Sequence, residues 1–173
     1  MANEVMNCLL TRYSCKKYKP DMVPKDLIDQ VIEAGITAPI GRGSNSPIVL
    51  AVTDRAVRDR LSKINADVMG AEIDPFYGAP VVLIVLADKN KAERVYDGSC
   101  AMENMQIAAH GLGLGACWIH RAKEMFEQDE CKQLLKDCGI EGEYEGIGNC
   151  ILGYPDGEPV VKSQKHKGAV YYI

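Results

Sequence analysis

The sequence predicts an α+β fold, with a small sheet of about four strands packed among helices. Two kinds of run point to it: short apolar stretches bounded by turn formers, such as Ile48 to Val52 and Val81 to Ala87, and longer stretches whose apolar residues recur at helical spacing. At 173 residues and 47% apolar composition the chain suffices for one ordinary core, so a single domain over residues 1–173 is expected.

The elements come in order along the chain. Pro24 suits a first helical turn, and Leu27, Ile28, Val31, Ile32 and Gly35 keep helical spacing until Pro39, so residues 24 to 37 read as a helix. A Gly/Ser/Asn/Pro loop, Gly41 to Pro47, leads into Ile48 to Val52, expected as a buried strand. Asp54 is placed to cap a helix on which Val57, Leu61, Ile64 and Val68 share a face, and Val81 to Ala87 reads as a wholly apolar strand. Ala101, Met105, Ala108, Ala109 and Leu112 mark a long, weakly charged helix, for which Asp97-Gly98 offers an opening and a cap. Gly115 to Ile119 and Ile147 to Leu152 are two further strands, separated by a charged helix over roughly residues 123 to 137 that Gly139 ends. The tail Val170 to Ile173 has strand character and needs an edge, in its own subunit or in a partner.

Composition narrows the function. Lysine plus arginine number 20 against 24 acidic residues, a net charge of -4, so the basic surplus that nucleic-acid phosphates demand is missing. The longest apolar run, Ala79 to Ala87, is far too short to span a bilayer, and Met1 opens no secretory signal pattern; a cytoplasmic protein without a membrane partner is expected. Seven cysteines, odd in number and never spaced C-x-x-C, suggest reduced and mostly buried thiols rather than disulfides or a metal site.

Chemistry first surfaces at Leu10-Thr11-Arg12-Tyr13-Ser14-Cys15-Lys16-Lys17-Tyr18. Extended backbone here projects Arg12, Ser14 and Lys16 to one side, a fork, a hydroxyl and a point charge that together suit a phosphomonoester. Gly111-Leu112-Gly113-Leu114-Gly115 invites a dinucleotide-fingerprint reading, but these glycines close a helix and precede a strand, the reverse of the order such a loop needs. They read instead as a helix C-cap with tight strand packing. Cys15 and Cys117 have no recognisable histidine partner that would make either a nucleophile.

An Arg-x-Ser-x-Lys element just after a first helix resembles the FMN-phosphate motif of the nitroreductase family, and the segments downstream of it agree in order. Ala38-Pro39-Ile40-Gly41-Arg42-Gly43-Ser44-Asn45-Ser46-Pro47-Ile48 is similar to the family's A-P-S-G-x-N-S-Q-P-W stretch, one residue longer and without its tryptophan. Ala116-Cys117-Trp118-Ile119-His120-Arg121 resembles the segment that passes beside the isoalloxazine. The resemblance runs nearly end to end and implies a small, mostly antiparallel sheet, a C-terminal strand exchanged in a homodimer, and one FMN held by Arg12, Tyr13, Ser14, Lys16, Pro39, Ile40, Gly41, Asn65, Cys117, Trp118, Ile119 and His120. Among Ser44, Asn45 and Ser46, Asn45 is favoured to face the flavin, and Lys165 is favoured to return to its phosphate. Trp118 also suits a plain core role, and His120 reads equally as a pocket group or a surface residue.

What the resemblance implies functionally is an NAD(P)H-dependent oxidoreductase, with flavin N5 rather than any side chain carrying the chemistry in a ping-pong transfer to nitroaromatic, quinone or related small acceptors. Dehalogenation, enone reduction or flavin breakdown on the same frame stay open. The alternatives are an FMN-binding redox sensor or carrier without turnover, and a dimeric interaction protein for which Arg12 and Lys16 are only surface charges.

Overall fold

The computed structural model describes residues 3–43, 46–158 and 168–173. In chain order its elements are α1 (Glu4–Thr11), α2 (Lys25–Ile36), β1 (Ile48–Val52), α3 (Arg55–Met69), β2 (Val81–Asp88), α4 (Arg94–Gly111), β3 (Gly115–Ile119), α5 (Ala122–Phe126), α6 (Asp129–Asp137) and β4 (Tyr144–Gly153). The four strands form one antiparallel sheet in the order β1-β2-β4-β3. This is the expected α+β arrangement.

β2 is the hub because both its faces are covered. Leu83 and Val85 pack with Val31 of α2 and Met102 and Met105 of α4, while Val82, Ile84 and Leu86 face Leu61, Phe76, Met125 and Phe126 on the other side. Every residue from Val81 to Ala87 is fully buried. Each such side chain contributes roughly 1.5–3 kcal/mol of apolar burial, so the strand order is held chiefly by its middle.

Local signals place the helices. Asp54 accepts from the Val57 N–H at 2.9 Å, as its position before α3 predicts. α4 ends where Leu114 N–H reaches back to the Ala109 carbonyl, with Gly113 in the left-handed region at φ 76°.

Three expectations need correction. β1 is an edge strand in which only Val52 is buried, since no strand among the described residues covers its outer side. Asp97 lies inside the first turn of α4 instead of capping it; the N-cap is Glu93, and Asp97 Oδ1 accepts from Gly41 N–H at 2.9 Å. The single helix expected over 123–137 is two, with Gln128 extended between them. At 100° per residue one continuous helix would turn Cys131 and Leu135 to the face opposite Ala122, Met125 and Phe126, and all five are buried, so the chain must break. Of the two edges expected for Val170 to Ile173, none among the described strands of its own subunit takes it, and it is exposed throughout.

Candidate functional site

The segment after α1 prolongs the sheet past β3. Ser14 forms a parallel bridge with Ala116, Cys15 N–H donates to the Ala116 carbonyl at 2.9 Å, and Tyr18 bridges Pro155. Gly115 permits this approach, because a Cβ there would stand 2.7 Å from Cys15 Sγ. With Cys15 buried, Ser14 and Lys16 are left facing outward, as alternation requires.

α4 secures the other side of the same segment. Arg12 Nε donates to Glu103 Oε1 at 2.9 Å, the Thr11 hydroxyl lies 2.8 Å from His110 Nε2, and Tyr13 meets the His110 ring edge-on with centroids 6.1 Å apart. Arg12 is thus fixed through Nε, with its terminal nitrogens making no hydrogen bond among the described residues.

Ser14 and Lys16 open onto a cleft of about 290 Å³, with Cys117, Trp118, Ile119, His120 and Arg121 along one wall and Met69, Ile73, Pro75 and Tyr77 along the other. Among the described residues its charged lining is Lys16 and Arg121, with no carboxylate, although the whole protein is at -4. Such a surface suits a flat apolar body carrying negative charge.

Two buried asparagines set the turn that ends β3. Asn65 Nδ2 on α3 donates to the His120 carbonyl at 2.9 Å, and Asn149 Nδ2 on β4 reaches the same carbonyl at 3.3 Å. Asn65 Oδ1 accepts from Arg121 Nε at 3.0 Å, holding a residue whose φ of 73° lies in the left-handed region. Asn65, expected to meet the flavin, therefore has its amide engaged beneath the wall. Asn149 Oδ1 is buried with no hydrogen-bond partner among the described residues.

The opposite wall hangs on Asp74. Its carboxylate accepts from Arg58 Nη2 at 2.6 Å, from the Ser62 hydroxyl, and from the N–H groups of Phe76 and Gly78 at 2.9 and 2.7 Å. Burial pushes this carboxyl up, but these donors more than reverse it and hold it below its ordinary range. Tyr77, at φ 53°, is kept where its ring centroid lies 5.5 Å from Lys16 Nζ. A wider hollow of about 520 Å³ beside α3 is lined by Arg58, Asp59, Ser62 and Asp74, already engaged with one another.

The Cys117 thiol is buried. Burial raises its thiol, with a Ser14 hydrogen bond and the Lys16 charge opposing only in part. The Trp118 indole lies along β4, where Gly148 leaves room for it.

Pro39, Ile40 and Gly41 are not among the residues that line this cleft. They lead from α2 toward β1, the edge opposite β3; Pro39 and Ile40 are exposed, and Gly41 lies against Glu93 and Asp97 at the start of α4. Asn45, Ser44 and Lys165 lie outside the described residues, while Ser46 is buried and accepts from Asp88 N–H at 3.0 Å. The sequence reading missed Tyr77, Asn149 and the Arg58–Asp74 pair, and passed over Arg121. Only Asn149, one polar residue in an apolar strand, carried a visible signal.

Known proteins resemble this chain in sequence and fold. The sequence model of the nitroreductase family matches residues 9–154. A protein of Methanothermobacter thermautotrophicus named "Putative NADH dehydrogenase/NAD(P)H nitroreductase" is 31% identical over 119 residues, 66% of this chain and 60% of that relative's own length. The crystal structure of a nitroreductase with bound FMN from Bacteroides fragilis superposes with a TM-score of 0.84 at 24% identity, covering 99% of this chain and 100% of the other. An FMN-dependent nitroreductase from Clostridium difficile gives 0.77 at 25% identity, covering 96% and 98%.

Proposed function

This chain belongs to the nitroreductase family, and on that premise we propose that it is a single-domain, FMN-dependent oxidoreductase that uses NAD(P)H to reduce small acceptors such as nitroaromatics or quinones. The observation that carries the reading is the convergence of Ser14 and Lys16 with residues 117–121 on one carboxylate-free cleft.

The residues present fit the cofactor. Lys16 supplies a point charge and Ser14 a hydroxyl for its phosphate, and Arg12, tethered by Nε to Glu103, keeps its two terminal nitrogens for the same group. When bound, FMN supplies the two-electron redox chemistry, taking reducing equivalents from NAD(P)H and passing them to the acceptor in turn. The protein orients and shelters. Main-chain N–H groups of His120 and Arg121 lie beyond the last ladder pair, Ile119 with Asn149, and are available to ring acceptors. Met69, Ile73 and Pro75 form an apolar wall that keeps water from the reacting face. Lys16 and Arg121 favour negative charge developing in the cleft.

The site is completed by a second copy. Pro39, Ile40 and Gly41 do not line their own cleft, and α1, none of whose residues is buried, exposes Val5, Met6, Leu9 and Leu10. A homodimer covers that face and brings the partner's loop to the flavin; the exposed tail from Val170 to Ile173 is available for the exchanged strand. Asn45 and Lys165 remain assigned to the ring and the phosphate. A cytoplasmic location suits the reducing chemistry, and no helix among the described residues is long and apolar enough to cross a membrane.

Anaerobic stopped-flow mixing of the FMN-loaded protein with NADH and with NADPH tests the reading. Rapid bleaching, reversed by a nitroaromatic or quinone, is expected. Bound flavin that neither nucleotide bleaches would leave only a sensor or carrier, and a protein that takes up no FMN would remove the proposal.

A further inference from the structure

Six of the seven arginines in the sequence lie within ion-pair distance of a carboxylate: Arg12, Arg42, Arg55, Arg58, Arg60 and Arg94. Arg121 has no such partner among the described residues, and the residues outside that description include no aspartate or glutamate. It is also the one arginine in the cleft lining. Its backbone sits at φ 73°, where glycine is the easy choice, yet a long cationic side chain occupies the position. That side chain is aimed: Nε is held by the Asn65 amide, a neutral partner that orients the guanidinium without neutralising it, and Nη1 and Nη2 make no hydrogen bond among the described residues.

A fixed guanidinium with its outer edge unspent is a receptor for a planar anion. Resting on the flavin reading above, we propose that Arg121 is a specificity-determining residue that selects acceptors bearing a carboxylate or similar anionic group beside the part to be reduced. Lys16, whose Nζ lies 5.5 Å from the Tyr77 ring centroid, is assigned to the cofactor phosphate, which leaves the Arg121 edge for the acceptor. Neutral acceptors enter the same cleft without the guanidinium contact and are discriminated against by what they fail to satisfy.

The test compares 4-nitrobenzoate with nitrobenzene as acceptors for the FMN-loaded wild type, Arg121→Gly and Arg121→Lys. Glycine suits the left-handed backbone, so the fold is retained in that variant. The ratio of kcat/KM for the charged over the neutral acceptor is expected to fall about tenfold or more in Arg121→Gly and by less in Arg121→Lys, which keeps the charge but loses the planar fork and the Asn65 bond that aims it. Independently of turnover, benzoate titrated against the fluorescence of Trp118, the sole tryptophan, is expected to bind about tenfold more weakly to Arg121→Gly. An unchanged ratio in a variant that still carries FMN, or a loss confined to the KM for NAD(P)H, would overturn the assignment while leaving the flavin reading intact. If the protein binds no FMN, the benzoate titration alone decides, and equal affinity in wild type and Arg121→Gly defeats the proposal.

Discussion

The side-chain amide of Asn65 donates to the His120 carbonyl at 2.9 Å while its oxygen accepts from Arg121 Nε at 3.0 Å, so one fully buried residue of α3 holds both the turn after β3 and the cation beside it. Removing the amide strands buried polar groups as well as losing contacts. Asn65→Leu, which restores volume but no hydrogen bonds, is expected to cost about 2–3 kcal/mol and lower Tm by roughly 4–10 °C. A melting curve that coincides with wild type would show that the amide is incidental.

Arg12, Ser14 and Lys16 are assigned to one phosphoryl group, which makes their effect depend on the ligand. Alanine at Arg12 or Lys16 should weaken FMN binding about 10- to 100-fold, and at Ser14 by about tenfold or less, whereas riboflavin, lacking the phosphate, should bind all three variants almost as it binds wild type. Fluorescence titration with both flavins reads this directly. Equal losses for FMN and riboflavin would place these side chains elsewhere on the cofactor.

Gly115 offers a structural test of the same grip. An alanine Cβ would meet Cys15 Sγ at 2.7 Å and Cys15 Cβ at 2.8 Å, forcing the 14–16 segment away from β3. Gly115→Ala is therefore expected to destabilise by about 1–3 kcal/mol and to weaken FMN more than riboflavin, though it removes no phosphate ligand. Wild-type FMN affinity in this variant would mean that the Ser14–Ala116 bridge does not position the site.

Much of this architecture was legible because the signals were local. The periodicities of α2 and α3, the wholly apolar run of β2 and the glycines around Gly113 each report a neighbourhood of a few residues. The edge position of β1 was not, since burial of Ile48 to Leu50 depends on which strand lies beside them. Asp97 resembled a cap in sequence, yet its partner proved to be Gly41, fifty-six residues away. The α5–α6 break was readable from the opposed phases of Met125 and Leu135, a conflict that a single charged helix conceals. For the site, Ser14, Lys16 and residues 117–120 line one cleft. Pro39 to Gly41 do not, because one chain places β1 and β3 at opposite edges. Arg121 escaped notice since its meaning lies in a missing partner, which no single-sequence pattern displays.

Asp74 makes the far wall sensitive to acid. Its folded-state acidity is below the ordinary aspartate value of about 3.9, so its contribution is fully present above that pH and is lost as pH falls through the lower folded value. Asp74→Asn should cost about 1–2 kcal/mol at neutral pH, allowing for the solvent that reaches this carboxylate, and the difference from wild type should shrink below about pH 4. Urea melts of both proteins across that range provide the check. A gap that widened on acidification would contradict the assigned donors.

Thiol reactivity should track burial and not proximity to the cleft. Cys138 is exposed, Cys8 and Cys100 are half-buried, and Cys15, Cys117, Cys131 and Cys150 are buried. Burial also pushes the Cys131 and Cys150 thiols up to about 11 and about 12, and raises Cys117 despite Ser14 and Lys16, so little thiolate exists at neutral pH where access is already poor. Iodoacetamide at neutral pH is expected to modify Cys138 first, Cys8 and Cys100 more slowly, and the buried four only on unfolding, as peptide mass mapping would record. Early modification of Cys117 in the folded protein would reverse the conclusion that this thiol is inert, and would reopen a role for it in the cleft it borders.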